Sequence, residues 1–139
     1  MILPHLALAL SLAASTAATA AVAQPAPHGV WLTASGNLQV EIAPCRDALC
    51  GVAVKVLANN SMAHAGAAAA PPPQVGLKIL SDLKPASTGT WRGHIFNREN
   101  GKTYDCIVEP QGADALKVRA YVVLPLFGKD QVWRRVPQS

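Results

Sequence analysis

Three cysteines and four histidines carry most of the thiolate and metal chemistry open to this chain. Cys45 and Cys50 enclose Arg46-Asp47-Ala48-Leu49, a stretch that reads as a turn between two strands. In an oxidising compartment that spacing suits a disulfide, and closing so short a loop would stabilise by roughly 2 kcal/mol. Zinc needs further ligands, and His28, His64 and His94 are scattered without the close pairwise spacings that tetrahedral sites use. No metal site and no cofactor is expected. Cys106, the odd thiol, shares an alternating face with Tyr104 and Val108, which predicts a buried, inert side chain.

Acid–base and nucleophilic chemistry are less well provided for. Asp and Glu come one per strand or turn, and no two are placed as a pair with separated proton affinities. Ser, His and Asp match no nucleophile elbow, and no glycine-rich phosphate loop follows a strand. Arg119 and Tyr121, with Asp105 opposite them, would form a cross-strand polar cluster contributing at most ~1 kcal/mol. A non-catalytic protein is expected.

The elements that must hold these residues have a period of two. Leu38, Val40 and Ile42 alternate with polar neighbours, as do Val52, Val54 and Val56, then Tyr104, Cys106 and Val108, then Leu116, Val118, Ala120, Val122 and Leu124. One apolar face and one polar face is the pattern of half-buried strands. Turn chemistry separates them at Ser35-Gly36-Asn37, Asn97 to Gly101 and Gln111 to Asp114. Strands are predicted near 29–33, 37–43, 50–57, 75–80, 90–97, 102–109, 115–124 and 131–136. Short antiparallel strands in that number must hide their edges, and closing the sheet does so. The fold expected is all-β, a small antiparallel up-and-down barrel of about eight strands, with an open β-sandwich as the alternative.

Compartment and charge set the setting. Residues 1–20 contain no Asp, Glu, Lys or Arg, and the apolar run from Leu6 to Leu12 leads to Ala21-Val22-Ala23 before Gln24. That is a signal-peptide plan with cleavage after residue 23, a periplasmic or secreted destination, and no stable membrane insertion afterwards. Residues 24–28 read as a flexible lead-in, and 29–137 as a single domain. The 12 Lys and Arg against 8 Asp and Glu give +4, dispersed rather than clustered. No nucleic-acid partner is indicated. Weak attraction to an anionic envelope surface is compatible with the balance.

The chain resembles two things. Gly29-Val30-Trp31 at the start and Trp133-Arg134-Arg135 at the end look like the lipocalin or calycin arrangement, where a tryptophan on the first strand packs beneath an arginine near the last. The resemblance implies that Trp31 and Arg134 plug one end of the barrel, the indole face supporting the cation. Pro44-Cys45, Leu49-Cys50-Gly51, the Gly76 to Leu80 segment, Trp91-Arg92-Gly93, Gly101-Lys102-Thr103-Tyr104, the Leu116 to Tyr121 strand, Pro125-Leu126-Phe127-Gly128 and Trp133 to Val136 resemble a family of small exported bacterial proteins of unknown function. The likeness runs from Gly29 to Val136. Members usually carry an Asp and an Asn-Pro between the third and fourth strands; this chain has Asn59-Asn60-Ser61-Met62-Ala63-His64, then Ala67 to Pro73. Ala120 stands where a Gly is common. The Ala/Pro-rich stretch at about 58–74 reads as a mobile loop over the barrel mouth, with His64 a solvated side chain on it.

Two functions follow. The first is binding of a small apolar or amphipathic ligand inside the barrel, lined by Val40, Ile42, Val52, Val54, Val118, Ala120 and Val122. The second is an envelope protein-interaction module working through Leu124-Pro125-Leu126-Phe127-Gly128, an apolar turn costly to expose without a partner.

Overall fold

A computed structural model of the chain describes residues 4, 11–18, 26–63 and 71–138. Apart from Pro4 and residues 11–18, the expected leader lies outside the described residues, as do His64 and the Ala67–Ala70 part of the Ala/Pro loop. Eight strands follow in chain order: β1 (Gly29–Leu32), β2 (Leu38–Cys45), β3 (Ala48–Val56), β4 (Lys78–Pro85), β5 (Trp91–Asn97), β6 (Lys102–Gln111), β7 (Ala115–Tyr121) and β8 (Lys129–Arg135). Each pairs with its sequence neighbour, and β1 meets β8 to close an antiparallel barrel. Closure leaves no raw sheet edge, which answers the edge problem that the short alternating runs pose.

The local chemistry explains where strands turn. Cys45 pairs with Ala48 across Arg46-Asp47, and the Cys45–Cys50 disulfide staples that hairpin with its Cα atoms 5.5 Å apart. The β5–β6 turn ends at Gly101, whose φ of 71° suits a residue without a Cβ. In β4 the register shifts between Ser81 and Lys84, where Asp82 adopts a φ of 53°. That bulge lets the strand continue to Pro85, beyond the end expected from its apolar run.

Inside, Trp31, Val40, Ile42, Leu80, Leu83, Cys106, Val108, Leu116, Val118 and Trp133 are shut off from solvent. One strand reverses the expected facing. The partners of inward Ile42 and Val40 are Gly51 and Ala53, so Val52 pairs with exposed Glu41 and Val54 stands exposed on the outer wall. The cause is space. A Cβ on Gly51 would lie 3.0 Å from both Leu80 Cβ and Val40 Cγ1, so only the small residues of β3 fit inward. The branched valines are left on the pleated exterior, which they tolerate well.

Candidate ligand-binding cup

The barrel is plugged at one end. Trp31 donates its indole N–H to the Pro27 carbonyl at 3.0 Å, which fixes the ring across the floor. The guanidinium carbon of Arg135 sits 4.2 Å from that ring's centroid, and its Nη1 donates to the His28 carbonyl at 3.0 Å while Nε donates to that of Ala113. The plug is therefore Trp31–Arg135, and the expected partner Arg134 points to solvent. Alternation decides this: Trp133 is buried, so two residues on, Arg135 returns to the same side.

At the opposite end the barrel is hollow. A cavity of about 560 Å³ opens where β1, β3, β5 and β7 end and their neighbours begin. Its floor is apolar, made by Leu38, Ile79, Ile95, Ala120 and Trp133. Its wall and rim are polar: Asn37, Asn60, Tyr104, Arg98, Glu99 and Gln131 among others. The Trp133 N–H is satisfied by Gln131 Oε1 at 2.8 Å, and the Tyr104 hydroxyl accepts from Asn100 at 2.7 Å. An apolar base with convergent polar groups is the usual make-up of a small-molecule site.

The segment after β3 is tied onto the rim. Asn37, only 1% exposed, donates its amide to the Asn60 carbonyl and accepts from the Asn60 N–H, both at 2.8 Å. The Asn37 carbonyl also takes the N–H groups of Leu57 and Ala58. Glu99 accepts from the Met62 N–H at 2.7 Å. A hydrogen bond from the Ser61 side chain holds the Glu99 carboxyl below its ordinary range, and the Met62 and Ala63 amides add to the effect. Arg98 reaches Asn59 Oδ1 at 3.2 Å and the Pro71 carbonyl at 3.3 Å, binding both described ends of the loop to one side chain.

Of the residues expected to line a ligand site, Ala120 and Val122 border the cavity. Val40, Ile42 and Val118 belong to the packed core, and Val52 and Val54 face outward. Leu124, Pro125, Leu126 and Phe127 form a short 3-10 turn and its lead-in beside the mouth, and Phe127 touches the cavity. Sequence reasoning missed Ile95, Trp133 and Asn37. The first two carried a legible signal, since each falls on the inward parity of its strand. Asn37 read as a turn residue and gave none.

Cys106 is fully buried and unpaired, and burial, with the Asp105 charge adding to it, pushes its thiol up to about 12. It is inert at neutral pH. Asp105 lies opposite Tyr121, but Arg119 pairs with Asp130 at 2.9 Å, so the three do not form the expected cluster. Among the described residues, no group of three or more His, Cys, Asp or Glu is placed to hold a metal ion. No described helix is long and apolar enough to cross a membrane.

A closed eight-strand meander with a tryptophan–arginine plug at one end and a cup at the other is a lipocalin-like barrel. The chain belongs to the family described as uncharacterized protein conserved in bacteria (DUF2147), which matches residues 29–135. Among solved structures it is similar to protein HP1028 of Helicobacter pylori, described as belonging to the lipocalin family. The TM-score is 0.59 at 18% identity, covering 79% of this chain and 82% of that one. No curated protein sequence matches.

Proposed function

We propose that this protein is an exported, non-catalytic carrier that holds a small amphipathic molecule in the open-end cup. The observation behind this reading is the cup itself, about 560 Å³ of space over an apolar floor in a barrel whose other end is packed shut. The volume lies in the range of small-molecule pockets, roughly 300–1,000 Å³. The ligand's apolar part would rest on Ile95, Ala120 and Trp133, and its polar part would meet the rim. The lipocalin-like fold supports the reading by analogy of architecture. The Cys45–Cys50 disulfide supports an oxidising compartment.

The test is native mass spectrometry of the protein recovered from its own host, followed by titration with cis-parinaric acid as an amphipathic probe. A non-covalent mass lost on denaturation, or saturable probe binding, is expected. Ala120→Trp, which pushes an indole into the cup, should abolish either signal while leaving the circular dichroism spectrum unchanged. Probe binding that survives Ala120→Trp, or no cargo and no probe binding in the parent protein, would sink the proposal.

A further inference from the structure

The described barrel is strongly asymmetric in what it shows to water. Most of its exposed large apolar side chains gather in the open-end loops, Leu57, Met62 and Val75 on one side of the mouth and Val122, Val123, Leu124, Leu126 and Phe127 on the other, while Val54, Val56 and Val132 lie along the strands. The closed-end turns between β2 and β3, β4 and β5, and β6 and β7 contribute none among the described residues.

The β7–β8 loop holds its apolar side chains outward by construction. Val123, a β-branched residue, has a φ of 69°, and the Leu124 N–H bonds to the Val122 carbonyl at 2.8 Å across it. That is a γ-turn of the rare, strained, positive-φ kind. Phe127 and Gly128 N–H groups then close the 3-10 turn onto Leu124 and Pro125. Gly128 packs so tightly on β7 that a Cβ would sit 2.7 Å from the Ala120 carbonyl oxygen. The result is a fixed turn that leaves Val123 80%, Leu126 82% and Phe127 70% exposed. Strain kept in order to present apolar groups to solvent calls for something that covers them.

Charge says what covers them. Three of the strands that start at the mouth, β4, β6 and β8, begin with a lysine: Lys78, Lys102 and Lys129. Lys55 near the end of β3 and Arg98 just past β5 complete the ring. Lys84 and Lys117 elsewhere on the barrel pair with Asp47 and Glu109, whereas none of these four lysines forms an ion pair among the described residues. The acids at this end are occupied: Asp130 by Arg119, and Glu99 by the loop amides.

We propose that the open end is a peripheral docking face for an anionic lipid surface. The turn at 123–127 dips its side chains into the headgroup boundary, and the lysine ring lies against the phosphates. An interrupted crown on both sides of a mouth suits a fluid surface, and contact there leaves the cup opening onto lipid. A rigid protein partner would need a continuous patch and would seal the cup. The proposal extends the carrier reading, and the two fail separately: Ala120→Trp should still dock.

The experiment is flotation of the protein, recovered from its host with its N-terminus fixed by intact mass, on phosphatidylglycerol or phosphatidylcholine vesicles. Partition onto phosphatidylglycerol alone is expected, weakening with salt. Leu126→Asp should reduce it about tenfold or more, and Lys129→Gln or Lys102→Gln about fivefold each. In Phe127→Trp the emission of the introduced indole should move to the blue on addition of phosphatidylglycerol vesicles and stay unchanged with phosphatidylcholine. Failure to float, equal floating on phosphatidylcholine, or indifference to Leu126→Asp would overturn the proposal. So would a homodimer or protein complex, lost in Leu126→Asp, in a protein that ignores vesicles.

Discussion

Arg135 is held by three separate contacts, the Trp31 ring and the carbonyls of His28 and Ala113, while Arg134 beside it is exposed. Removing the first takes away the cation on the indole face and two charge-assisted hydrogen bonds to exposed carbonyls at the closed end. Arg135→Ala should therefore cost about 2 kcal/mol in urea denaturation. Arg134→Ala should stay within about 0.5 kcal/mol, as surface changes generally do. Equal effects would mean that the plug is not the fastening described. Cys106 makes a different prediction. Its thiol stays protonated in the fold up to about 12, while an unfolded cysteine ionises near pH 8.5. Above that pH the unfolded chain loses a proton that the folded one keeps. Stability should fall by about 1.4 kcal/mol per pH unit through the alkaline range, and Cys106→Ala should flatten that slope.

At the scale of elements, the strap from Leu57 to Ala63 hangs on Asn37 and Glu99. Asn37→Ala leaves the Asn60 N–H and carbonyl without their partners, at a cost of about 1–3 kcal/mol. Amide exchange at Asn60 should quicken sharply, with the β-strand amides unaffected. Glu99 acts with pH. Its folded proton affinity is depressed, so its contribution is present above the ordinary glutamate range and lost as pH falls through the folded value. Protection of the Met62 amide, measured relative to its intrinsic exchange rate at each pH, should fall on acidification in the parent, and Glu99→Gln should lower it at neutral pH and remove most of the dependence. An acid response that survives unchanged in Glu99→Gln would assign the anchor elsewhere.

The strands themselves were legible because period two and turn residues are local properties. Facing was less so. In β3 either parity offers apolar residues, and the choice fell to Gly51 and Ala53 because Leu80, from another strand, already fills the space. The arginine of the plug could have been read from the parity of Trp133, which outweighs the resemblance that favoured its neighbour. The site stayed hidden for a reason of the same kind as β3. A cup appears where large inward side chains stop, and that depends on eight strands at once, not on any one of them.

Over the whole molecule, the two ends have different jobs in the fold. One end is stapled by Cys45–Cys50 and by the Trp31–Arg135 plug, and the other carries the cup, the strained turn and the lysines that have no ion pair among the described residues. Separation of that kind lets the rim vary in sequence without loosening the core.

The β1–β8 seam has a consequence in time. Every other pairing joins neighbours in the chain, so hairpins can form as soon as their residues exist. The seam alone joins the first strand to the last, through Trp31 opposite Arg135 and Leu32 opposite Arg134. A chain growing from its N-terminus thus carries β1 paired to β2 on one side but with its other edge bare until its final residues emerge. The shortness of that strand, four residues, keeps the period of risk from becoming a template for aggregation.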